Sequence, residues 1–294
     1  MYSIEIASHC IECGACVDVC PARVFTKADG VQASRPGGCI LCGHCVAVCP
    51  VDAVQHRGFD GQEFPPMPAG AVPDVDTLAG FLRSRRSVRE FRQKDVPREV
   101  LEKLLDIARY APTASNAQDV RFIVITDRQK MRALSQRITR WLPVLRRLAA
   151  IPGVLAWASK SWGRKRLEGY LASLDGFEEI IRAGGDPIFY DAPALILTYA
   201  HNKNAFGIEN SAYATYHIVL AAHAMGLGTC MVGFLTTASR YDPGARRLAG
   251  IPKGHRLATA LVVGYPVHRY RRLVPRKPAR VSWDGDQKVD IARM

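Results

Sequence analysis

Cys10-Ile11-Glu12-Cys13-Gly14-Ala15-Cys16-Val17-Asp18-Val19-Cys20-Pro21 returns as Cys39-Ile40-Leu41-Cys42-Gly43-His44-Cys45-Val46-Ala47-Val48-Cys49-Pro50. Each copy reads C-x2-C-x2-C-x3-C-P, the spacing that holds 4Fe–4S clusters. Three thiolates at this step wrap one face of a cubane, and the fourth, followed by proline, turns away to the other cluster. Cys10, Cys13, Cys16 and Cys49 are therefore expected to hold one cluster, and Cys39, Cys42, Cys45 and Cys20 the second. Gly14 and Gly43 suit a loop whose backbone N–H groups approach cluster sulfur closely. A pair of zinc sites and a disulfide knot are the competing readings. Zinc knuckles lack the third cysteine at this step and the C-P ending.

The segment resembles the two-cluster bacterial ferredoxins throughout, which implies single-electron chemistry for whatever follows. Of the nine cysteines, only Cys230 is left over. At 294 residues the chain has room for two domains, and a cysteine-rich start before a cysteine-poor remainder favours two. A hydrophobic content of 48% is ample for a core. Oxygen-sensitive sulfur chemistry and the lack of a signal peptide lead us to expect a cytoplasmic protein. No apolar run is long enough to span a membrane. The formal charge of +13 falls once the clusters are counted, because each carries about −2 with its four thiolates. The remaining basic surface suits an acidic redox partner or an anionic substrate. No groove-reading motif accompanies it, so nucleic acid is not expected.

Between the cysteine phrases, Val24–Thr26 and Val31–Ala33 flank Lys27-Ala28-Asp29-Gly30, the pattern of a short hairpin. Residues after each C-P are expected to begin one helical turn, as in Pro50-Val51-Asp52-Ala53-Val54. A ferredoxin-type domain over 1–57 would then give way to a Gly/Pro-rich linker over 58–76. A helix should start near Asp76 or Thr77 and run to the basic cluster at 83–89. Val100, Leu101, Leu104, Leu105 and Ala108 mark a second helix. Arg121–Thr126, Ala194–Tyr199 and Leu257–Val263 read as strands. Gln129–Ser135 reads as a helix, and Asn210–Met225 as a long apolar one. No G-x-G-x-x-G occurs, so the alternation is not a dinucleotide-binding one.

Five pieces of residues 77–294 resemble, in order, the FMN-dependent nitroreductase family. They are R-R-S-V-R-E-F (85–91), A-P-T-A-S-N-A-Q (111–118), D-A-P-A-L-I (191–196), G-L-G-T-C-M-V-G (226–233) and V-V-G-Y-P (262–266). The resemblance implies an α+β fold, a nitroreductase-like α/β sandwich behind a small ferredoxin-like 2[4Fe–4S] domain. It also implies an obligate homodimer with one FMN at each subunit interface. Arg85, Ser87 and Arg89 match positions that grip the FMN phosphate and ribityl chain, a role suited to guanidinium forks and hydroxyls. They lie at i, i+2 and i+4, so they converge only where the backbone leaves the helix. Taken alone, the same residues read as a solvated basic helix end. Pro112, Thr113, Ser115 and Asn116 match a loop that reaches the partner subunit's flavin. Val232 and Gly233 match the backbone that lies against the isoalloxazine ring, and Arg276 is a further candidate for the phosphate. Cys230 is expected to be a small buried apolar residue.

Residues 136–190 stand where this family varies, and their mix of tryptophans with arginines and lysines suits a lid or a dimer arm. Pro143 and Pro152-Gly153 break any long membrane-surface helix. The combination implies a reductase. Electrons from a low-potential ferredoxin-type donor would pass through two [4Fe–4S] clusters to FMN, then to a nitroaromatic or quinone-like acceptor; the other donor is NAD(P)H, giving hydride directly to the flavin. No general acid is needed, and His201, His217, His223 and His255 are expected to be structural. The alternatives are an electron carrier serving a protein partner, and a dehalogenase or enone reductase on the same scaffold.

Overall fold

The computed structural model describes residues 3–149, 151, 153, 176–284 and 289–291. Its N-terminal part is built on the internal repeat. Strand β1 (Ile4–Ile6) pairs antiparallel with β4 (Val54–His56), and β2 (Phe25–Thr26) with β3 (Gln32–Ala33), the hairpin expected. The helical turns fall inside the cysteine phrases rather than after C-P: α1 is Ala15–Asp18 and α2 is His44–Ala47. Each turn begins on a left-handed glycine, Gly14 (φ 84°) or Gly43 (φ 72°), a backbone state that other residues adopt only with strain. After Pro50 the chain instead turns through Asp52 (φ 52°) into β4. Val24, Phe25, Val31 and Val54 form a small core around the buried Cys16 and Cys45.

Little regular structure follows until α3 (Val75–Ser84). Its cap is Asp74 rather than Asp76 or Thr77; the Asp74 carboxylate accepts the Asp76 and Thr77 N–H groups. The beginning of the expected linker packs on the cysteine domain, with Phe59 and Phe64 edge-to-face at 5.2 Å beside Gly43.

The larger part is a four-stranded antiparallel sheet in the order β5-β6-β8-β7, with helices on both faces. Strands β5 (Arg121–Ile125), β6 (Ala194–His201) and β8 (His255–Gly264) match the apolar runs read from the sequence. Strand β7 (Gly228–Met231) is four residues long and was not expected. Side chains alternate across a strand, so each face collects its own core. Leu195, Leu197 and Val262 pack with Leu134, Phe189 and Leu235, against α5 (Arg128–Thr139) and α8 (Gly233–Tyr241). Ile196, Leu261 and Val263 pack with Leu104 and Ile218, against α4 (Arg98–Ala108) and α7 (Gly207–Ala224). Within the expected lid, α6 (Leu142–Ala149) is helical, and Ile188 and Phe189 are wholly buried core. Its middle, including Trp157 and Trp162, lies outside the described residues.

Asp242 joins three elements. It caps the 243–249 helix through the Gly244 N–H (2.9 Å) and pairs with Arg137 (2.7 Å) and Arg140 (3.3 Å) of α5 and its end. The Arg137 hydrogen bond, above all, holds its carboxyl at about 2. A depressed folded value contributes stability that is present above the unfolded value and lost as pH falls through about 2. Asp242→Asn is therefore expected to cost about 1–2 kcal/mol at pH 7. Denaturant melts should find that gap narrowed at pH 3, and an equal gap at both pH values would refute the assignment.

Candidate functional site

The eight motif cysteines gather into two closed fours. Cys10, Cys13, Cys16 and Cys49 line one small apolar cavity, and Cys20, Cys39, Cys42 and Cys45 line another. Backbone N–H groups point at sulfur in matched positions of the repeat. Glu12 donates to Cys10 and Leu41 to Cys39, both at 3.4 Å. Val24 donates to Cys20 at 3.3 Å, and Ala53 to Cys49 at 3.2 Å. Burial pushes the Cys16 thiol up, and the Cys45 thiol up to about 11. Such a set needs a positively charged core to become thiolate. All nine cysteines are free of disulfides. Among the described residues no group of three His, Cys, Asp or Glu side chains is arranged to hold a single metal ion. The donor set fits 4Fe–4S chemistry.

The basic stretch leaves its helix where the sequence requires. Arg85 is the extended C-cap of α3 (φ −63°, ψ 135°). Beyond it the chain runs parallel to β7: Ser87 pairs with Thr229, and the Val88 N–H donates to the Thr229 carbonyl at 2.9 Å. In an extended chain alternate residues share a face, which sets Arg85, Ser87 and Arg89 together. Val88, on the other face, is buried against Gly228, where a Cβ would come within 2.7 Å of its Cγ2. Arg85, Arg86 and Val88 line a cavity of about 540 Å³ with Gly226–Thr229 and Tyr270, a size ordinary for a small-molecule site, whereas Ser87 and Arg89 are not among its lining residues. Arg86 was not singled out in the sequence. Its Nη1 donates to the Arg83 and Arg85 carbonyls at 2.7 Å each, while Nε and Nη2 are buried without a partner. Buried donors without partners are costly, and an anion would satisfy these. Arg89 lies 6.0 Å from the Tyr190 ring. Cys230 is buried in the sheet core, and burial raises its thiol against the pull of Arg89 and Ser87, as a packed apolar residue should behave.

From Thr229 the chain continues through Val232, which is buried and donates its N–H to the Ala260 carbonyl, to Gly233 at the start of α8. A Cβ on Gly233 would meet nothing within 4 Å. Four residues of extended chain separate Thr229 from Gly233, about 13 Å. Arg276 is exposed and is not among the residues lining the cavity.

The 111–118 loop is elsewhere. Ser115, Asn116 and Gln118 are left-handed, and the Ala114 N–H donates to Asn210 Oδ1 (3.0 Å) in the first turn of α7. Pro112 and Ser115 are exposed; Thr113 Oγ1 accepts the Gln118 N–H. The basic stretch is tied to the other end of α7, where Ser84 Oγ meets His223 Nε2 at 2.7 Å. Thirteen helical residues separate Asn210 from His223, about 20 Å. One chain therefore splits the expected flavin residues into two groups. The Asn116 side chain is already engaged: Nδ2 donates to the carbonyls of Ile40 (3.0 Å) and Leu41 (2.7 Å), between Cys39 and Cys42.

Comparison with known proteins agrees with this architecture. Residues 82–265 match the nitroreductase family, and residues 3–50 match a 4Fe-4S dicluster domain. The chain is similar to a 4-nitrobenzoate reductase of Nocardioides sp., at 29% identity over 67% of this chain and 84% of that protein. It is also similar to an NADH dehydrogenase of Thermus thermophilus, at 30% identity over 67% and 93% of the two chains. In fold it is similar to a nitroreductase with bound FMN from Desulfitobacterium hafniense, with a TM-score of 0.51 at 20% identity, covering 72% and 97%. No described helix is long and apolar enough to cross a membrane. The chain belongs to the nitroreductase family of oxidoreductases and carries a 4Fe–4S dicluster domain ahead of its nitroreductase domain.

Proposed function

We propose that this chain is an iron–sulfur flavoprotein reductase that works as a homodimer. In this reading it carries two 4Fe–4S clusters and one FMN per chain, and passes electrons from a low-potential one-electron donor to a nitroaromatic or quinone-like acceptor. When bound, the clusters supply single-electron steps and FMN joins them to two-electron chemistry. Arg85, Ser87 and Arg89 bind the phosphate and ribityl end. Val232 and Gly233 present backbone to the flat ring, which the open space over Gly233 admits. Pro112, Thr113, Ser115 and Asn116 serve the flavin of the second subunit. Burial supports the dimer: α3 has no buried residue, although Val75, Leu78 and Leu82 are apolar and exposed. Tyr213 and Tyr216 of α7 are exposed as well. Apolar surface of this kind is costly to leave in water and suits a second copy.

The observation that carries the electron path is the pair of hydrogen bonds from Asn116 to Ile40 and Leu41. They seat the cysteine loop of one domain on the loop that the other domain offers to a flavin. Rapid mixing with a one-electron donor should bleach cluster absorbance before flavin absorbance, and removal of residues 1–60 should abolish the route. Equal turnover of the shortened and whole proteins with that donor would sink the reading.

A further inference from the structure

The two cysteine phrases are related by a shift of 29 residues, and the backbone donors to sulfur obey it: Glu12 and Leu41 correspond, as do Val24 and Ala53. Among the described residues the side-chain contacts to sulfur differ at the pair Lys27 and His56. Lys27 is exposed near Gly14, where water screens its charge. His56 is buried, and its Nε2 lies 3.2 Å from Cys39 Sγ. Its other ring nitrogen accepts the Gly58 N–H at 3.0 Å. An accepting Nδ1 leaves the proton on Nε2, so the ring donates to the sulfur. The ring is held in place: Phe59 stands edge-on at 4.9 Å, and a Cβ on Gly58 would collide with Leu41 and His56. Among the described residues the first phrase has no such side-chain donor to Cys10.

We propose that His56 is a positioning residue that raises the reduction potential of the cluster held by Cys20, Cys39, Cys42 and Cys45. The proposal rests on the two-cluster reading given above. Reduction adds a negative charge to the cluster, and an N–H aimed at a ligand sulfur stabilises the more negative form. The cluster so affected is the one whose loop Asn116 holds, at the junction with the nitroreductase domain. The device therefore acts on one cluster alone, the one placed to exchange electrons across that junction.

The test is an EPR-monitored redox titration of the full-length holoprotein, comparing wild type with His56→Phe, His56→Leu and His56→Gln. Phe and Leu both remove the donor but differ in shape, so agreement between them separates the hydrogen bond from packing. Gln can still donate to the sulfur. In the first two variants the reduced-to-oxidised ratio of one cluster, read at its wild-type midpoint, should fall about tenfold, ~59 mV for one electron. The other cluster should not move, and His56→Gln should stay near wild type. The signal weakened by Cys20→Ser identifies the cluster that shifts. Movement of both clusters or neither, or of the other one, would overturn the proposal, as would a His56→Gln shift as large as that of His56→Phe. A wild-type iron content near four per chain, against about eight for two clusters, would instead fail the two-cluster reading and the proposal with it.

Discussion

Cys20→Ser should damage the cluster of the second phrase and spare that of the first, although Cys20 stands four residues from Cys16. Anaerobically purified wild-type protein is expected to hold about eight iron and eight acid-labile sulfide per chain, and the variant about four of each where that cluster is lost. The expectation follows from how the chain crosses itself. Cys20 lies beyond the end of α1, its sulfur fixed by the Val24 N–H, and it lines a cavity with Cys39, Cys42 and Cys45. Cys49 makes the reciprocal crossing, so Cys49→Ser should damage the first cluster instead. The surviving EPR signal gives the answer. If Cys20→Ser removed the first cluster, the crossed assignment would be reversed; zinc in place of iron would end the cluster reading altogether.

The second large effect concerns the flavin and needs two kinds of chain in one dimer. Arg85→Ala is expected to weaken FMN binding about 10- to 100-fold, since a hydrogen bond to a charged group is worth ~1.5–3 kcal/mol. Ser115→Trp should block binding from across the interface. Ser115 is exposed in the single chain, so the added bulk meets no core there, and the strain of a large residue on its left-handed backbone is read from a melt of the Ser115→Trp chain alone. Asn116 is a poorer choice, because its side chain also holds the cysteine loop. Each homodimer of either variant should bind FMN poorly at both sites. A heterodimer of the two should recover one tight site, built from the intact Arg85 of one chain and the intact loop of the other, and carry both lesions at its second site. Titration of purified heterodimers with FMN distinguishes the cases. Two equally weak sites would mean that both groups serve the same subunit's flavin, which the ~20 Å between the ends of α7 argues against.

The sequence by itself determined what depends on near neighbours. The spacing within each cysteine phrase points to cluster ligands, because three thiolates at that step can reach one core, and it marks the segment as a 4Fe–4S dicluster domain. Apolar runs marked β5, β6 and β8 to within a few residues; β6 and the second half of β8 are buried on both faces and have little else in their composition, while β5 is a half-exposed edge strand. The i, i+2, i+4 order of Arg85, Ser87 and Arg89 already required an extended backbone, and Arg85 does leave α3. Tertiary structure alone decided the rest. Strand β7 is too short to stand out in a sequence and exists because β8 and Ser87 flank it. The helical turns moved inside the cysteine phrases because left-handed Gly14 and Gly43 start them, while left-handed Asp52 sends the chain after Pro50 into β4. Arg86 drew no notice because a guanidinium beside two others looks solvated until packing strands its donors. His56 on Cys39 and Asn116 on Leu41 join residues 17 and 75 positions apart. Spacing encodes what one or two turns of chain can bring together; contacts at that separation arise only when whole elements pack.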